Sequence, residues 1–252
     1  MEIRVETRER HIVVVTIANE RRRNAMTRAM LADLAALWDR LDEDPACRCV
    51  VLTGAGEKAF SSGADLGGDL SASPELARVV NRALLKDTPF SKPIVAAVNG
   101  DCVAGGVELL LSTDIRAAAP EARFGLPEVR WSIYPFGGAT VKLAQQIGHV
   151  HAMDLLLTGR LVDAAFAERV GLVNAVVARE RLLPWAFETA AMIAANSPAA
   201  VQAVRTQISA AIADYARSRE ALEQELGDRV RASPYFAEGV AAFLEKRKPE
   251  YR

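Results

Sequence analysis

The stretch from Pro93 to Leu111 constrains the fold more than any other part of the chain. It opens with an apolar, β-branched run, Pro93-Ile94-Val95-Ala96-Ala97-Val98, which has the length of a buried strand and stops at Asn99-Gly100. Small residues follow, then Gly105-Gly106 and the block Val107-Glu108-Leu109-Leu110-Leu111, which fits the start of a buried helix. Glycines at a strand-to-helix junction let a bound molecule come close to the backbone, and the first helical N–H groups there have no intrahelical acceptor. Such donors, with the helix dipole behind them, can hold a developing negative charge. Glu108 is then a carboxylate inside an apolar segment: either a catalytic group or a costly burial, for instance one paired with Arg116 or Arg130.

The rest of the chain alternates in the same α/β manner. His11–Ile17 is a strand, pairing as a hairpin with residues 3–6, and Thr27–Leu41 carries Met30, Leu31, Leu34, Leu37 and Leu41 at helical spacing. Cys49–Thr53 is the next strand. Gly54-Ala55-Gly56-Glu57-Lys58-Ala59 matches a dinucleotide fingerprint in form, but Phe60-Ser61-Ser62-Gly63 after it is loop chemistry and opens no helix, so a nucleotide site is rejected. Residues 74–86 form a helix, Asp114–Ala118 a short strand, and Phe124-Gly125-Leu126-Pro127-Glu128-Val129 places Glu128 on a proline-bounded loop. Trp131, Tyr134, Pro135 and Phe136 make an aromatic cluster before Gly137-Gly138. Helices follow at 139–147 and 152–157, and Leu172–Val177 is of strand type. From Arg181 nearly everything is helical, with Ser197 as cap and Pro198 in the first position of one helix. The organisation is a core over 1–180 and a helical region over 181–252.

Composition excludes several classes of function. A formal net charge of −1 over 252 residues argues against nucleic acid or an anionic membrane as main partner. No apolar run has the length of a membrane span, and the N-terminus is strand-like, not a signal peptide. Cys47, Cys49 and Cys102 are too scattered for a disulfide framework, which fits a reducing cytoplasm. No Cys/His set has zinc spacing; His149 and His151 would point to different faces of a helix, so no metal is expected.

Four motifs, in order, resemble the crotonase (enoyl-CoA hydratase/isomerase) superfamily: Arg23-Asn24-Ala25-Met26; Ala59-Phe60-Ser61-Ser62-Gly63-Ala64-Asp65-Leu66; Val98-Asn99-Gly100 through Gly105-Gly106-Val107-Glu108-Leu109; and Phe124-Gly125-Leu126-Pro127-Glu128. The resemblance runs from about residue 10 to Phe243-Leu244-Glu245-Lys246-Arg247-Lys248. It implies an α/β fold, a spiral of ββα units with a helical C-terminal trimerisation region, assembled as a homotrimer or dimer of trimers. It implies a cofactor-free lyase of fatty acid metabolism that acts on an acyl-CoA, with coenzyme A as part of the substrate. By position, Ala64 and Gly105 match the backbone donors of the oxyanion hole, and Glu108 and Glu128 the two glutamates of the hydratases, at the family's separation. The implied reaction is reversible syn addition of water across the 2,3 double bond of an enoyl-CoA. Double-bond isomerisation and a non-catalytic CoA-binding subunit are the alternatives.

Arg23, Ala25, Ser62, Asp65, Leu66, Trp131, Tyr134 and Phe136 fall within or beside these motifs and are the candidate substrate contacts, and Phe243 and Lys246 resemble C-terminal positions that approach coenzyme A bound to a neighbouring subunit. Arg21, Arg22 and Arg23 either meet its phosphates or form a solvated basic face. One departure stands out. The hydratases have Pro-Gly before a Gly-Gly pair, whereas here Pro135 is followed by Phe136 and then Gly137-Gly138. A ring at that place is expected to reshape the acyl end of the pocket, unless it is plain packing.

Overall fold

The computed structural model describes residues 1–65 and 73–252. The chain runs through β1 (Glu2–Glu9), β2 (Ile12–Ala18), α1 (Arg28–Glu43), β3 (Cys49–Gly54), β4 (Ala59–Ser61), α2 (Pro74–Ala83), β5 (Ile94–Val98), β6 (Asp101–Val103), α3 (Gly105–Leu110), β7 (Ile115–Ala118) and β8 (Arg123–Gly125). It continues through α4 (Ala139–Ile147), α5 (His149–Thr158), β9 (Val162–Asp163), α6 (Ala164–Arg169), β10 (Ala175–Val176), α7 (Arg179–Ala194), α8 (Pro198–Ala232) and α9 (Pro234–Glu245). Among the described residues, no helix is long and apolar enough to cross a membrane.

The strands form two sheets, a six-stranded one ordered β1-β2-β3-β5-β7-β10 and a four-stranded one ordered β4-β6-β8-β9. Successive turns of chain place one strand in each sheet: β3 then β4, β5 then β6, β7 then β8. The partners across each of these turns run parallel. That is a ββα spiral. The first sheet follows from sequence, because β3 and β5 are buried at every residue and are rich in Val, Ile and Ala. The second sheet is a correction to the loop reading of residues 60–63 and of the segment after Asn99. Its strands are two or three residues long, below what alternation can reveal. The strand expected over Leu172–Val177 shrinks to Ala175–Val176.

Two asparagines hold the corner between the sheets. Asn99 donates through Nδ2 to the carbonyls of Gly56 (2.7 Å) and Ala59 (3.1 Å) and accepts from the Gly54 N–H at 3.1 Å. Asn24 donates to the Ala55 and Ala59 carbonyls at 2.9 and 2.6 Å. The glycine-rich 54–59 loop is thus a tied-down corner whose carbonyls are occupied.

One apolar core lies between the first sheet, α1 and the elements of the second sheet, with Trp38, Phe60, Phe90 and Phe124 at its centre. A smaller one lies on the opposite face of the first sheet, where α7 buries Leu182, Ala186, Ala190 and Ala194. Helix α8 starts with Ser197 accepting from the Ala200 N–H and Pro198 in the first turn. It is anchored near its start by Arg205, whose Nε lies 2.8 Å from Asp114.

Candidate active site

The site is built where the two central loops of the spiral meet. The Arg22–Met26 turn docks on the segment after β4: the Met26 N–H donates to the Gly63 carbonyl (2.8 Å), the Asp65 N–H to Met26 (3.0 Å) and the Ser62 N–H to Arg23 (3.1 Å). These bonds gather Arg23, Ala25, Ser62, Ala64 and Asp65, which the sequence places in two separate motifs. Arg22 pairs with Asp65 at 2.8 Å, and Arg23 with Asp101 at 2.9 Å. Arg123 grips the same Asp101 through two nitrogens, at 2.9 and 2.7 Å. Ala25 is buried, and its carbonyl accepts from Asn19. Leu66 lies outside the described residues.

Ala64 and Gly105 come together on backbone geometry that few residues tolerate. Ala104, just before Gly105, has φ 54° and ψ −127°, a conformation unfavourable for a side chain with a Cβ. Gly63 has φ +89°, and a Cβ there would lie 2.8 Å from the Gly105 nitrogen. A Cβ on Gly105 would in turn lie 3.6 Å from the Ala64 nitrogen. Among the described residues, neither the Ala64 nor the Gly105 N–H donates to a backbone carbonyl. Two unspent donors side by side form the geometry an oxyanion needs.

Glu108 projects from the first turn of α3 and is buried. It faces the Gly137-Gly138 turn, where the Ala139 N–H donates to its Oε1 at 3.4 Å and a Cβ on Gly137 would overlap its Oε2. Neither arginine considered as a partner reaches it. The Arg116 guanidinium is committed to Thr113 and the Leu172 carbonyl, and Arg130 lies over the Trp131 ring. Glu128 lies not on an open loop but in a 3₁₀ turn over Pro127–Trp131; it too is buried, and its Oε2 has no hydrogen-bond partner among the described residues. Burial raises both acids, Glu108 to about 7 and Glu128 to about 8; Glu128 is raised further by the charge of Glu108. The backbone N–H groups of Ala139 and Gly137, and the nearby Lys86, oppose the rise at Glu108.

The aromatic residues separate into two pairs. Trp131 meets Phe243 of α9 edge-on, ring centres 5.3 Å apart, while Tyr134 and Phe136 lie 5.1 Å apart. The Phe136 ring fills the space above Gly227 of α8, where any Cβ would overlap it, and Arg231 stacks on it at 4.6 Å. The ring that replaces a glycine is therefore accommodated by a glycine on the helix it faces. Lys246 caps α9 in a left-handed conformation.

Three charged residues next to the site escape sequence reasoning. Lys86 and Glu223 form a buried ion pair at 2.9 Å, and Lys142 is buried with its Nζ on the Leu85 carbonyl (2.6 Å) and Ser112 Oγ (2.8 Å). Burial lowers Lys142 to about 7. Glu223 sits among charges on α8 that look like a solvated face; the only signal was Gly227 inside that helix, since an interior glycine costs about 1 kcal/mol and marks a close contact. A hollow of about 910 Å³ lies under the first half of α8, lined by Phe90, Arg116, Lys142, Leu172 and Arg205, and includes neither Glu108 nor Glu128. Among the described residues no group of His, Cys, Asp and Glu could hold a metal ion.

Known proteins resemble the chain over its whole length. An enoyl-CoA hydratase from Mycobacterium tuberculosis, EchA19, is 40% identical, covering 97% of this chain and 94% of its own. A mevalonyl-coenzyme A hydratase from Aspergillus fumigatus is 37% identical over 96% of this chain and 92% of its own. Among solved structures, an enoyl-CoA hydratase/isomerase from Pseudoalteromonas atlantica superposes with a TM-score of 0.89 at 30% identity, over 99% of both chains. The model of the enoyl-CoA hydratase/isomerase family matches residues 7–252. With the ββα spiral and its helical C-terminal region in place, the chain belongs to the enoyl-CoA hydratase/isomerase family, an enzyme family of the crotonase superfamily.

Proposed function

We propose that the protein is an enoyl-CoA hydratase that adds water reversibly across the 2,3 double bond of an enoyl-CoA thioester. The observation that carries this reading is the pair of buried carboxylates, Glu108 and Glu128, both raised by burial, together with two unspent backbone N–H groups. A thioester oxygen held by the Ala64 and Gly105 N–H groups can accept the electrons displaced when a nucleophile attacks Cβ. Losing one such donor typically costs about 10²–10³ in rate. One ionised glutamate takes a proton from water as the oxygen–Cβ bond forms; the other, protonated, delivers its proton to Cα as the enolate collapses. The hydroxyl adds to Cβ and the proton to Cα from the same face, which gives syn addition. Burial pushes both acids up towards the neutral range, which suits a pair in which one member works ionised and the other protonated.

No cofactor enters these steps; coenzyme A is part of the substrate. In this reading Arg21, Arg22 and Arg23 would meet its phosphates, Arg22 and Arg23 being held beside Asp65 and Asp101. Trp131, in the same turn as Glu128, is the aromatic residue best tied to the site, while the Phe136 ring is taken up by packing on Gly227. The exposed apolar residues of α8, among them Val204 and Ile208, support assembly as a homotrimer or dimer of trimers, and buried free thiols suit the cytoplasm. The names of relatives include short-chain, mevalonyl and 2,3-dehydroadipyl substrates, so the acyl group is found with a panel.

The test follows loss of enoyl absorbance with crotonyl-CoA, then with longer, branched and dicarboxylic enoyl-CoA thioesters. Turnover that collapses in Glu128→Gln supports the reading. Migration of the double bond without uptake of labelled water would make the protein an isomerase instead. Tight coenzyme A binding without turnover of any member would make it a binding subunit.

A further inference from the structure

We propose that Lys86 and Glu223 are positioning residues for the acid pair: their buried ion pair clamps the Gly137-Gly138 turn against Glu108 and fixes the charge around that carboxylate. The inference rests on the hydratase reading and deepens it, because it names how one acid is held and tuned from a helix outside the spiral.

The geometry is a stack. Lys86 follows Leu85, a residue with φ +50°, and its side chain is 5% exposed. A Cβ on Gly138 would lie 3.2 Å from Lys86 Cγ, so the lysine stem covers that glycine. On the preceding residue, Gly137, a Cβ would overlap the Glu108 carboxylate. The two glycines therefore separate a lysine stem from a catalytic acid, with room for neither to bear a side chain. Lys86 Nζ reaches Glu223 Oε2 at 2.9 Å, and the other oxygen of Glu223 accepts from Thr140 Oγ1 at 2.7 Å. Thr140 is in the first turn of α4, immediately after the Ala139 N–H that donates to Glu108. One carboxylate on α8 thus holds both the lysine behind the turn and the helix start that carries the donor.

Stability alone is a weak reason for such a pair, since apolar replacements of buried ion pairs are often no less stable. Its charges have a second use. Lys86 and Glu223 act on Glu108 with opposite sign, the lysine favouring the carboxylate and the glutamate disfavouring it. The other charged groups facing Glu108 are Glu128, from the 3₁₀ turn, and Lys142, from α4. Removing one partner of the pair should shift the proton affinity of Glu108 one way, and removing the other should shift it the opposite way. A role confined to packing has no such sign.

The experiment is the pH profile of kcat/KM for wild type, Lys86→Met, Glu223→Gln, the double variant and Lys86→Arg. The acid limb is expected to move up in Lys86→Met and down in Glu223→Gln, each by on the order of one pH unit, which is about tenfold in rate at a fixed pH on that limb. The double variant and Lys86→Arg should stay near wild type. Glu223→Gln keeps its shape and can still accept from Thr140, so it carries the test where Lys86→Met fails to fold. Infrared titration of the Glu108 carboxyl band in a Glu128→Gln background reads the same shifts without turnover. Limbs or bands that stay put, or that move in the same direction in both single variants, overturn the proposal. An inactive wild type whose bands shift with opposite sign would overturn the hydratase reading and leave the electrostatic role standing.

Discussion

Asp101 and Glu108 stand at the two ends of one short segment, both buried, and the protein treats them in opposite ways. Asp101 is met by two arginines, one of them bidentate, so its charge is answered where it is made. Glu108 receives backbone N–H groups and, among the described residues, has no cation bonded to it. The first arrangement holds a strand end against two loops. The second leaves a carboxyl whose charge is expensive at neutral pH, and an expensive charge is one that readily takes or gives a proton. Burial by itself does not single out a candidate catalytic acid; burial without a bonded counter-charge is the stronger sign.

The largest test of this contrast is on turnover. Glu108→Gln and Glu128→Gln are each expected to lower kcat by about 10²–10⁴, while Asp101→Asn leaves kcat close to wild type; a collapse in Asp101→Asn would erase the distinction. Next comes the donor pair. Gly63→Ala places a methyl group near the Gly105 nitrogen and strains a left-handed residue, so kcat should fall by about 10²–10³ with a smaller change in KM. A third test reads stability against pH. The folded-state values of Glu108 and Glu128 are raised to about 7 and about 8. Their contribution is therefore fully present below the unfolded carboxyl range and is lost as pH rises through these values. Glu108→Gln should then be more stable than wild type at pH 9, by on the order of 2–3 kcal/mol, and the advantage should vanish near pH 4 in urea titrations. Smallest is the effect of Asp101→Asn on stability. Its arginines are more than half exposed and can turn to water, so about 1 kcal/mol is expected.

How much of this was legible in the sequence follows the same division. The fully buried strands and the α1 helix announce themselves, because long apolar runs and helical spacing survive without context. The second sheet does not, since strands of two or three residues leave no period, and it is this sheet that brings the Ala64 and Gly105 loops together. Glu108 and Glu128 were legible as acids in suspicious places, Glu108 from its apolar flanks and Glu128 only through the motif that contains it. Lys86, Lys142 and Glu223 were not. Local sequence does not distinguish them from snorkelling surface charges: Lys142 lies between Val141 and Leu143, Lys86 follows Leu85 and Glu223 follows Leu222, and Lys86 meets Glu223 only because α8 returns from far along the chain.

Phe136 and Gly227 close the matter in terms of inheritance. The ring at 136 occupies the volume that any side chain at 227 would need. The two positions are therefore not free to change one at a time: a larger residue at 227 demands a smaller one at 136, and a chain that loses the ring leaves a gap that a larger residue at 227 can fill. Sterically, two distant letters of the sequence act as a single character, so a substitution at one is expected to need a matching one at the other.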